Sequence, residues 1–477
     1  MSNIEIKSGL EIHQQLDTGK LFCSCPGILR KDEADYTFKR KLHAIAGETG
    51  EIDEAVKFEA GREREFIYEG YYDNCCLVEQ DEEPPHAINQ EALNIGIQVA
   101  LLLNCEILQN TQIMRKTVID GSNTSGFQRT LLLARKGYVE TSSGKVGIQS
   151  ICLEEDAARI ISSDKTKVIY RLDRLGIPLL EIATMPDIKT PEQAKEVALY
   201  LGDVLRACKV KRGLGTIRQD VNISVCVDGK WGERIEIKGV QEPELIIKTI
   251  ETEKIRQEDL IRKNKSSSEV RKANEDGTTL FLRPMPGGER MYPETDLELL
   301  HISREKINEA KKNLPKLRSE IKDELRKHGL NEEIVKLLAE KNKVADFQEL
   351  IKVYNKPDLV GKMLTLWSGD LINKLNKTAK EVEDRLGIDV LETILQSVGK
   401  KIEESDIFEV MKDIVRGKKV EDAVKREKVG NLDEEIMKLI KEKPGLSKNA
   451  YMGLVMAKFK GKVNGKEVSS IIEKLVK

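Results

Sequence analysis

Near the N-terminus, Gly9-Leu10-Glu11-Ile12-His13 sets an acid and an imidazole two residues apart. Asn3 to Lys7 alternate polar and apolar residues, which predicts a half-buried strand. On such a strand Glu11 and His13 leave the same face. A pair of this kind binds a metal, moves a proton, or forms an ion pair. Four further segments place acids in apolar, strand-like surroundings. They are Glu155 in Leu153-Glu154-Glu155-Asp156, Glu181 in Gly176 to Ile182, Asp220 in Arg218 to Asn222, and Glu236 in Arg234 to Lys238. A carboxylate inside an apolar strand is costly unless something pairs it. Convergence of these strands would give an oxygen-rich pocket for one or two divalent cations, the equipment of phosphoryl transfer. The competing reading pairs each acid with Arg174, Arg218, Arg234 or Lys238. His13 as a ligand suits Mn²⁺ or Zn²⁺ better than Mg²⁺.

Other motifs are less specific. There is no Walker-type loop and no kinase-type glycine loop. Asp120-Gly121-Ser122-Asn123-Thr124-Ser125-Gly126 follows Arg115-Lys116 and is either an anion cradle built from backbone amides or a solvated turn. Cys23-Ser24-Cys25 and Cys75-Cys76 resemble two halves of a zinc site. Adjacent cysteines rarely both ligate one metal, so structural zinc is not expected. Cys105, Cys152, Cys208 and Cys226 lie in apolar patterns and read as core. No Ser-His-Asp or Cys-His set is discernible. In the tail, Lys441 to Lys477 hold nine Lys against three Glu. There Lys458, Lys460, Lys462 and Lys466 suit an RNA backbone, with a solvated helix face as the alternative.

The elements that must position these residues follow from pattern and punctuation. The fold class is α+β, with a mixed or antiparallel sheet over residues 1–298, a helical domain over 299–400, and a small all-α tail over 406–477. Strands are expected at 38–45, 55–71, 106–117, 127–139, 147–155, 216–227 and 231–240, the last two joined by an Asp228-Gly229-Lys230 hairpin turn. Asn89 caps a helix to about Asn104, and Thr190-Pro191-Glu192-Gln193 opens another to about Cys208. A third helix runs from about Pro243 to Lys263. Gly399 to Ser405 reads as a linker. A net charge of −2 across 477 residues excludes a global polyanion footprint, and 4% aromatics argue against base stacking. No apolar run is long enough to span a bilayer, and the start lacks a signal-peptide pattern. The expectation is a cytoplasmic protein with neither membrane nor DNA as a partner.

Taken together, the motifs resemble the GatB/GatE family, the kinase-transamidase subunits of tRNA-dependent amidotransferases. The resemblance rests on Gly9 to Thr18, Lys20 to Pro26, Leu153 to Ala157, Gly176 to Glu181, Pro186 to Ile188, Asp220 to Ser224, Tyr292-Pro293-Glu294-Thr295-Asp296 and Gly461 to Lys466. It spans essentially the whole chain. His13 to Thr18, Cys76 to Glu79, Asp81 to His86 and Gly121 to Thr130 are similar to the archaeal GatE branch. One departure is that GatE proteins carry an insertion resembling part of bacterial aspartyl-tRNA synthetase, where this chain has only Lys265 to Glu269.

The resemblance implies amidation of glutamate misacylated on tRNA(Gln). ATP would phosphorylate the glutamyl carboxylate, and ammonia from an asparaginase-like GatD partner would displace the phosphate, within an α2β2 heterotetramer. By this resemblance His13, Glu155 and Glu181 match the family's Mg²⁺ ligands, Mn²⁺ being an alternative ion. Glu11, Asp220 and Glu236 match its second-metal or ammonia-side acids. Lys116, Ser122, Asn123, Ser125 and Arg218 are the candidate substrate and ATP contacts, and the tail is the tRNA-binding part. The rival readings are a GatB-type subunit working with an amidase and a tRNA-binding subunit without catalysis.

Overall fold

The computed structural model of the chain describes residues 3–43, 50–52, 56–57, 60–61, 64–213, 215–285, 291–341, 343–425, 432–459 and 465–475. It divides into two compact units, Met1–Leu317 and Arg318–Lys477.

The first unit is built on strands β1 (Ile4–Gln15), β2 (Tyr36–Arg40), β3 (Glu65–Gly70), β4 (Glu106–Ile107), β5 (Asn110–Thr111) and β6 (Ile113–Thr117). The long hairpin β7 (Phe127–Thr141) and β8 (Gly144–Glu155) follows, then β9 (Arg159–Ser163), β10 (Lys167–Arg171) and β11 (Pro178–Thr184). The remainder are β12 (Ile217–Val227), β13 (Lys230–Trp231), β14 (Ile235–Lys238), β15 (Glu269–Ala273), β16 (Thr279–Pro284), β17 (Met291–Pro293) and β18 (Leu300–His301). Its helices are α1 (Gln90–Leu102), α2 (Pro191–Ala207), α3 (Pro243–Arg262) and α4 (Arg304–Lys312).

Twelve strands form one sheet in the order β16-β15-β14-β12-β1-β11-β8-β7-β6-β17, with β13 added on β12 and β4 on β7. β1 lies at its centre, antiparallel to both β11 and β12. The period of two then sorts its residues: Leu10 and Ile12 enter the core, while Glu11 and His13 take the other face. Leu10 and Ile12 join Leu180, Ile182, Val221 and Ile237 in one cluster with Leu93 and Ile97 of α1, Leu201 of α2 and Ile250 of α3. Each fully buried aliphatic side chain contributes about 1.5–3 kcal/mol, so the apolar face anchors the sheet and leaves the opposite face free for polar groups.

Local signals place the elements that flank the site. Asn89 Oδ1 accepts from the backbone N–H of Glu91 and Ala92 at 3.0 and 3.1 Å, starting α1. Thr190 caps α2 through Gln193 N at 3.1 Å, while Gln193 Oε1 reaches Lys189 N at 3.0 Å. Asp228 and Gly229 both have positive φ, 51° and 85°, as the expected tight hairpin turn requires. A second sheet, β2-β3-β10-β9, holds Tyr68 and Tyr170, whose hydroxyls donate to Gly121 O and Asp120 O at 2.8 and 2.9 Å. Those two bonds pin the 120–126 loop.

Several expectations shift. The strand expected at 38–45 is β2, and residues 44–49 lie outside the described residues. Among the described residues of the 55–71 stretch, only those of β3 are strand. The first unit continues to Leu317 because α4 is tied to α1: Lys306 Nζ donates to Gln90 Oε1 at 2.6 Å, and Ala310 and Leu317 enter the same core.

The second unit is helical: α5 (Arg318–Lys327), α6 (Glu332–Glu340), α7 (Val344–Val353), α8 (Pro357–Lys362), a π-helical turn (Met363–Trp367), α9 (Ser368–Leu375), α10 (Ala379–Arg385), α11 (Ile388–Ser397), α12 (Ile407–Val415) and α13 (Val420–Ala423). These share one apolar cluster. The final helices, α14 (Leu432–Glu442), α15 (Lys448–Lys458) and α16 (Gly465–Leu475), build a separate small one. The stretch expected to be a linker, 399–405, carries Ile402, which is buried in the larger cluster. Among the described residues, no helix is long and apolar enough to cross a membrane.

Candidate active site

The polar face of the large sheet carries a band of charge across β14, β12, β1, β11 and β8. Register explains it: His13 of β1 lies opposite Glu181 of β11 and Arg218 of β12, and Glu11 opposite Asp220. Glu181 is paired with Cys152 of β8, so Glu154, two residues on, shares its face. Asn222 of β12 pairs with Glu236 of β14, extending the band the other way. The sheet thus brings Glu11, His13, Glu181, Asp220 and Glu236 together as the sequence reading expects.

It does not bring Glu155 with them. Glu155 turns to the opposite side of β8, where Arg129 donates to it from its backbone N at 3.2 Å and from Nη1 at 3.4 Å. Glu154 takes the expected place: His13, Glu154 and Glu181 each offer a ligand atom within 4.8 Å of the others. Glu154 is oriented by Lys116 Nζ at 2.7 Å, Thr130 Oγ1 at 2.8 Å and Gln128 Nε2 at 3.1 Å. Glu11, His13 and Asp220 form an overlapping group by the same measure.

The electrostatics follow from crowding. His13 Nε2 is 3.3 Å from Glu181 and 3.5 Å from Glu11. Burial opposes charge on His13, yet the hydrogen bond and charge of Glu181, with Glu11 and Glu154, raise its pKa. Burial also opposes charge on Glu181, but His13 and Lys116 bring its carboxyl down to about 2. Glu11 moves the other way: burial and the charge of Glu181 push it up to about 7, against His13. Asp220 and Glu236 are bridged by Lys238 Nζ, at 2.8 and 2.5 Å. The oxygen-rich donor set with one imidazole fits a divalent cation, Mg²⁺ or Mn²⁺.

The candidate ATP contacts separate. Lys116 belongs to the acid band, 3.8 Å from Glu181. Arg218 donates to Asp156 Oδ1 at 2.8 Å. Asn123 and Ser125 line a recess together with Lys20, Glu79, Arg129 and Glu155. Ser122 donates its N–H to Asp120 Oδ1 at 2.9 Å and its hydroxyl to Asn123 Oδ1 at 3.3 Å, both within the loop. Sequence reasoning missed Arg129, Glu154 and Glu79. Strand period alone separates Glu154 from Glu155, but only the register of β8 on β11 says which one faces His13.

Beside this recess, Cys23, Cys25, Cys76 and Glu79 bring one ligand atom each within 4.8 Å of one another. The expectation of no structural zinc rests on the adjacency of Cys75 and Cys76. In the structure Cys75 turns away towards Lys20, at 3.9 Å, and Glu79 completes the group of four with Cys23, Cys25 and Cys76. The neighbouring thiols of Cys23 and Cys25 hold the Cys76 thiol well below its ordinary range. Three thiols and a carboxylate fit Zn²⁺.

The family model described as the GatB/GatE catalytic domain matches residues 6–308, the unit that carries every group above. Full-length relatives agree. The GatE subunit of the glutamyl-tRNA(Gln) amidotransferase of Methanocaldococcus jannaschii is 37% identical over 99% of both chains. The proteins of the same name from Archaeoglobus fulgidus and Thermococcus gammatolerans are 35% and 33% identical, each over 99% of this chain and 98% of their own. The chain belongs to the GatB/GatE family. The M. jannaschii alignment runs over 631 positions against 477 residues here, so well over a hundred positions of that GatE relative have no counterpart. Of the tail lysines expected to meet tRNA, Lys458 pairs with Glu435 at 3.1 Å. Lys460 and Lys462 lie outside the described residues, and Lys466 falls in the first turn of α16.

Proposed function

We propose that the chain is the kinase-transamidase subunit of a Glu-tRNA(Gln) amidotransferase, acting on glutamate misacylated on tRNA(Gln). The observation that supports this most directly is the acid band of the GatB/GatE catalytic domain, with His13, Glu154 and Glu181 at its centre. In the reaction the glutamyl carboxylate takes the γ-phosphoryl group of ATP, leaving ADP. Ammonia then attacks the acyl carbon, phosphate departs, and one proton is lost. A divalent cation held by His13, Glu154 and Glu181 supplies neutralising charge to the phosphates when bound.

The protein's own groups do the rest. Lys116, beside Glu154 and Glu181, adds fixed positive charge at the same place. Asn123 and Ser125 present polar groups to the adjoining recess. Glu11, with its carboxyl near 7, is matched to take the proton from ammonium at neutral pH. Asp220 and Glu236 are held by Lys238 and keep that side of the band ordered. Ammonia is supplied by an asparaginase-like GatD partner in an α2β2 heterotetramer. The basic tail, Lys458, Lys460, Lys462 and Lys466, meets the tRNA backbone.

Incubation of the purified chain with Glu-tRNA(Gln), ATP, Mg²⁺ and ammonium chloride yields Gln-tRNA(Gln) on this reading. Conversion of Asp-tRNA(Asn) would mark a GatB-type subunit instead, and bound but unconverted tRNA a binding subunit without catalysis.

A further inference from the structure

The Tyr292-Pro293-Glu294-Thr295-Asp296 segment has no part in the chemistry above, yet its acid is among the most enclosed in the chain. The Glu294 side chain has no exposed surface. The three-residue strand β17 carries it in, pairing with β6 at the sheet edge, and Glu294 N donates to Ile113 O at 2.8 Å. Both carboxylate oxygens are engaged. Oε1 accepts from Arg115 Nη2 and from Asp296 N, the latter at 3.0 Å, and Oε2 accepts from Arg129 Nε at 2.8 Å. Both guanidiniums lie against the same ring, Phe127, at 4.6 and 5.2 Å from its centre. With Nε taken by Glu294, the guanidinium plane of Arg129 is fixed so that Nη1 lies along both oxygens of Glu155 at 3.4 Å.

We infer that Glu294 is a positioning residue for the phosphoryl-transfer step, acting through Arg129. Each acid lining the recess next to the 120–126 loop faces a cation, Glu155 with Arg129 and Glu79 with Lys20, so no unpaired acid there repels phosphates. A lone Arg129 would swing between solvent and Glu155, because an Arg with its Nε free keeps several rotamers. Glu294 removes that freedom. The cation–aromatic contacts on Phe127 leave the guanidinium one plane to occupy. This inference rests on the proposed kinase function.

The test measures ADP formation and Gln-tRNA(Gln) formation with free ammonium on the full chain, for wild type, Glu294→Gln, Arg129→Met and the double variant. Urea unfolding and circular dichroism normalise each rate to folded protein. Glu294→Gln keeps the shape and loses the charge, and is expected to lower kcat for ADP formation by about 10–100-fold, as loss of an orienting partner does, with KM for Glu-tRNA within about twofold. Arg129→Met lowers kcat at least as much, and the double variant is no worse than Arg129→Met alone. Arg129→Lys, which keeps the charge but not the two-sided fork, does not restore the rate. The inference is overturned if folded Glu294→Gln turns over at the wild-type rate, or if the two effects multiply. An inactive wild type would instead sink the functional reading on which the inference stands.

Discussion

Glu154 and Glu155 are neighbours with opposite duties: one faces His13 and Glu181, the other a buried arginine. Two predictions separate them. Glu154→Gln weakens Mn²⁺ binding by at least about tenfold, read by EPR titration, with little change of stability in EDTA. Glu155→Gln leaves Mn²⁺ affinity within about twofold but destabilises the fold by about 3–5 kcal/mol in urea, because it breaks a buried ion pair; lost Mn²⁺ binding in this variant would refute the assignment of faces. Glu11 gives a pH dependence. Burial and Glu181 raise its carboxyl to about 7, so in the window from 4.5 to 7 the folded chain holds a proton the unfolded chain has lost. In EDTA its contribution to stability therefore falls as pH rises through that window. Glu11→Gln abolishes amidation yet raises the melting temperature at pH 8, by about 1–2 kcal/mol of stability; a lower melting temperature at pH 8 would contradict the sign. The sequence shows the acids and their apolar settings, but a period of two says only that Glu154 and Glu155 part. The choice between them lies in the pairing of Glu181 with Cys152, a contact between strands that sequence spacing does not encode.

At the scale of elements, the site is held by turns and edges as much as by long strands. β14 ends at Lys238, and the next residue, Gly239, has φ of +81° and donates its N–H to Asp220 Oδ1 at 3.1 Å. Gly239→Ala forces an L-residue into the left-handed region and should cost about 1–2 kcal/mol, measured by urea unfolding; an unchanged midpoint would show that the turn relaxes freely. The loop bearing Cys23 and Cys25 is joined to Cys76 and Glu79 across about fifty residues of chain. Metal analysis of purified protein should find zinc held there, and Cys76→Ala should lose it along with several degrees of melting temperature; a zinc-free native protein would remove this role. The helix caps at Asn89 and Thr190, the Asp228-Gly229 turn and the central strand were all legible, because each is a local signal. The short edge strand β17 and the partition of Cys75 from Cys76 were not, because both are fixed by partners far away in the chain.

For the whole molecule, composition and pattern indicated an α+β part followed by helices, and the structure agrees in class. The boundary moved to Leu317 because α4 packs on α1, an association that an amphipathic, Lys-rich helix does not announce in its own sequence. The absence of well over a hundred positions present in the M. jannaschii relative leaves the acid band and its supporting strands complete. Under the proposed function this chain by itself phosphorylates and amidates the glutamyl group. The most direct measurement is single-turnover conversion of Glu-tRNA(Gln) with ATP, Mg²⁺ and free ammonium, alongside the Glu154→Gln variant. The expected result is ATP-dependent Gln-tRNA(Gln) from wild type and none from Glu154→Gln, with tRNA binding equal in both. Equal conversion by the two proteins, or none by the wild type, would contradict it.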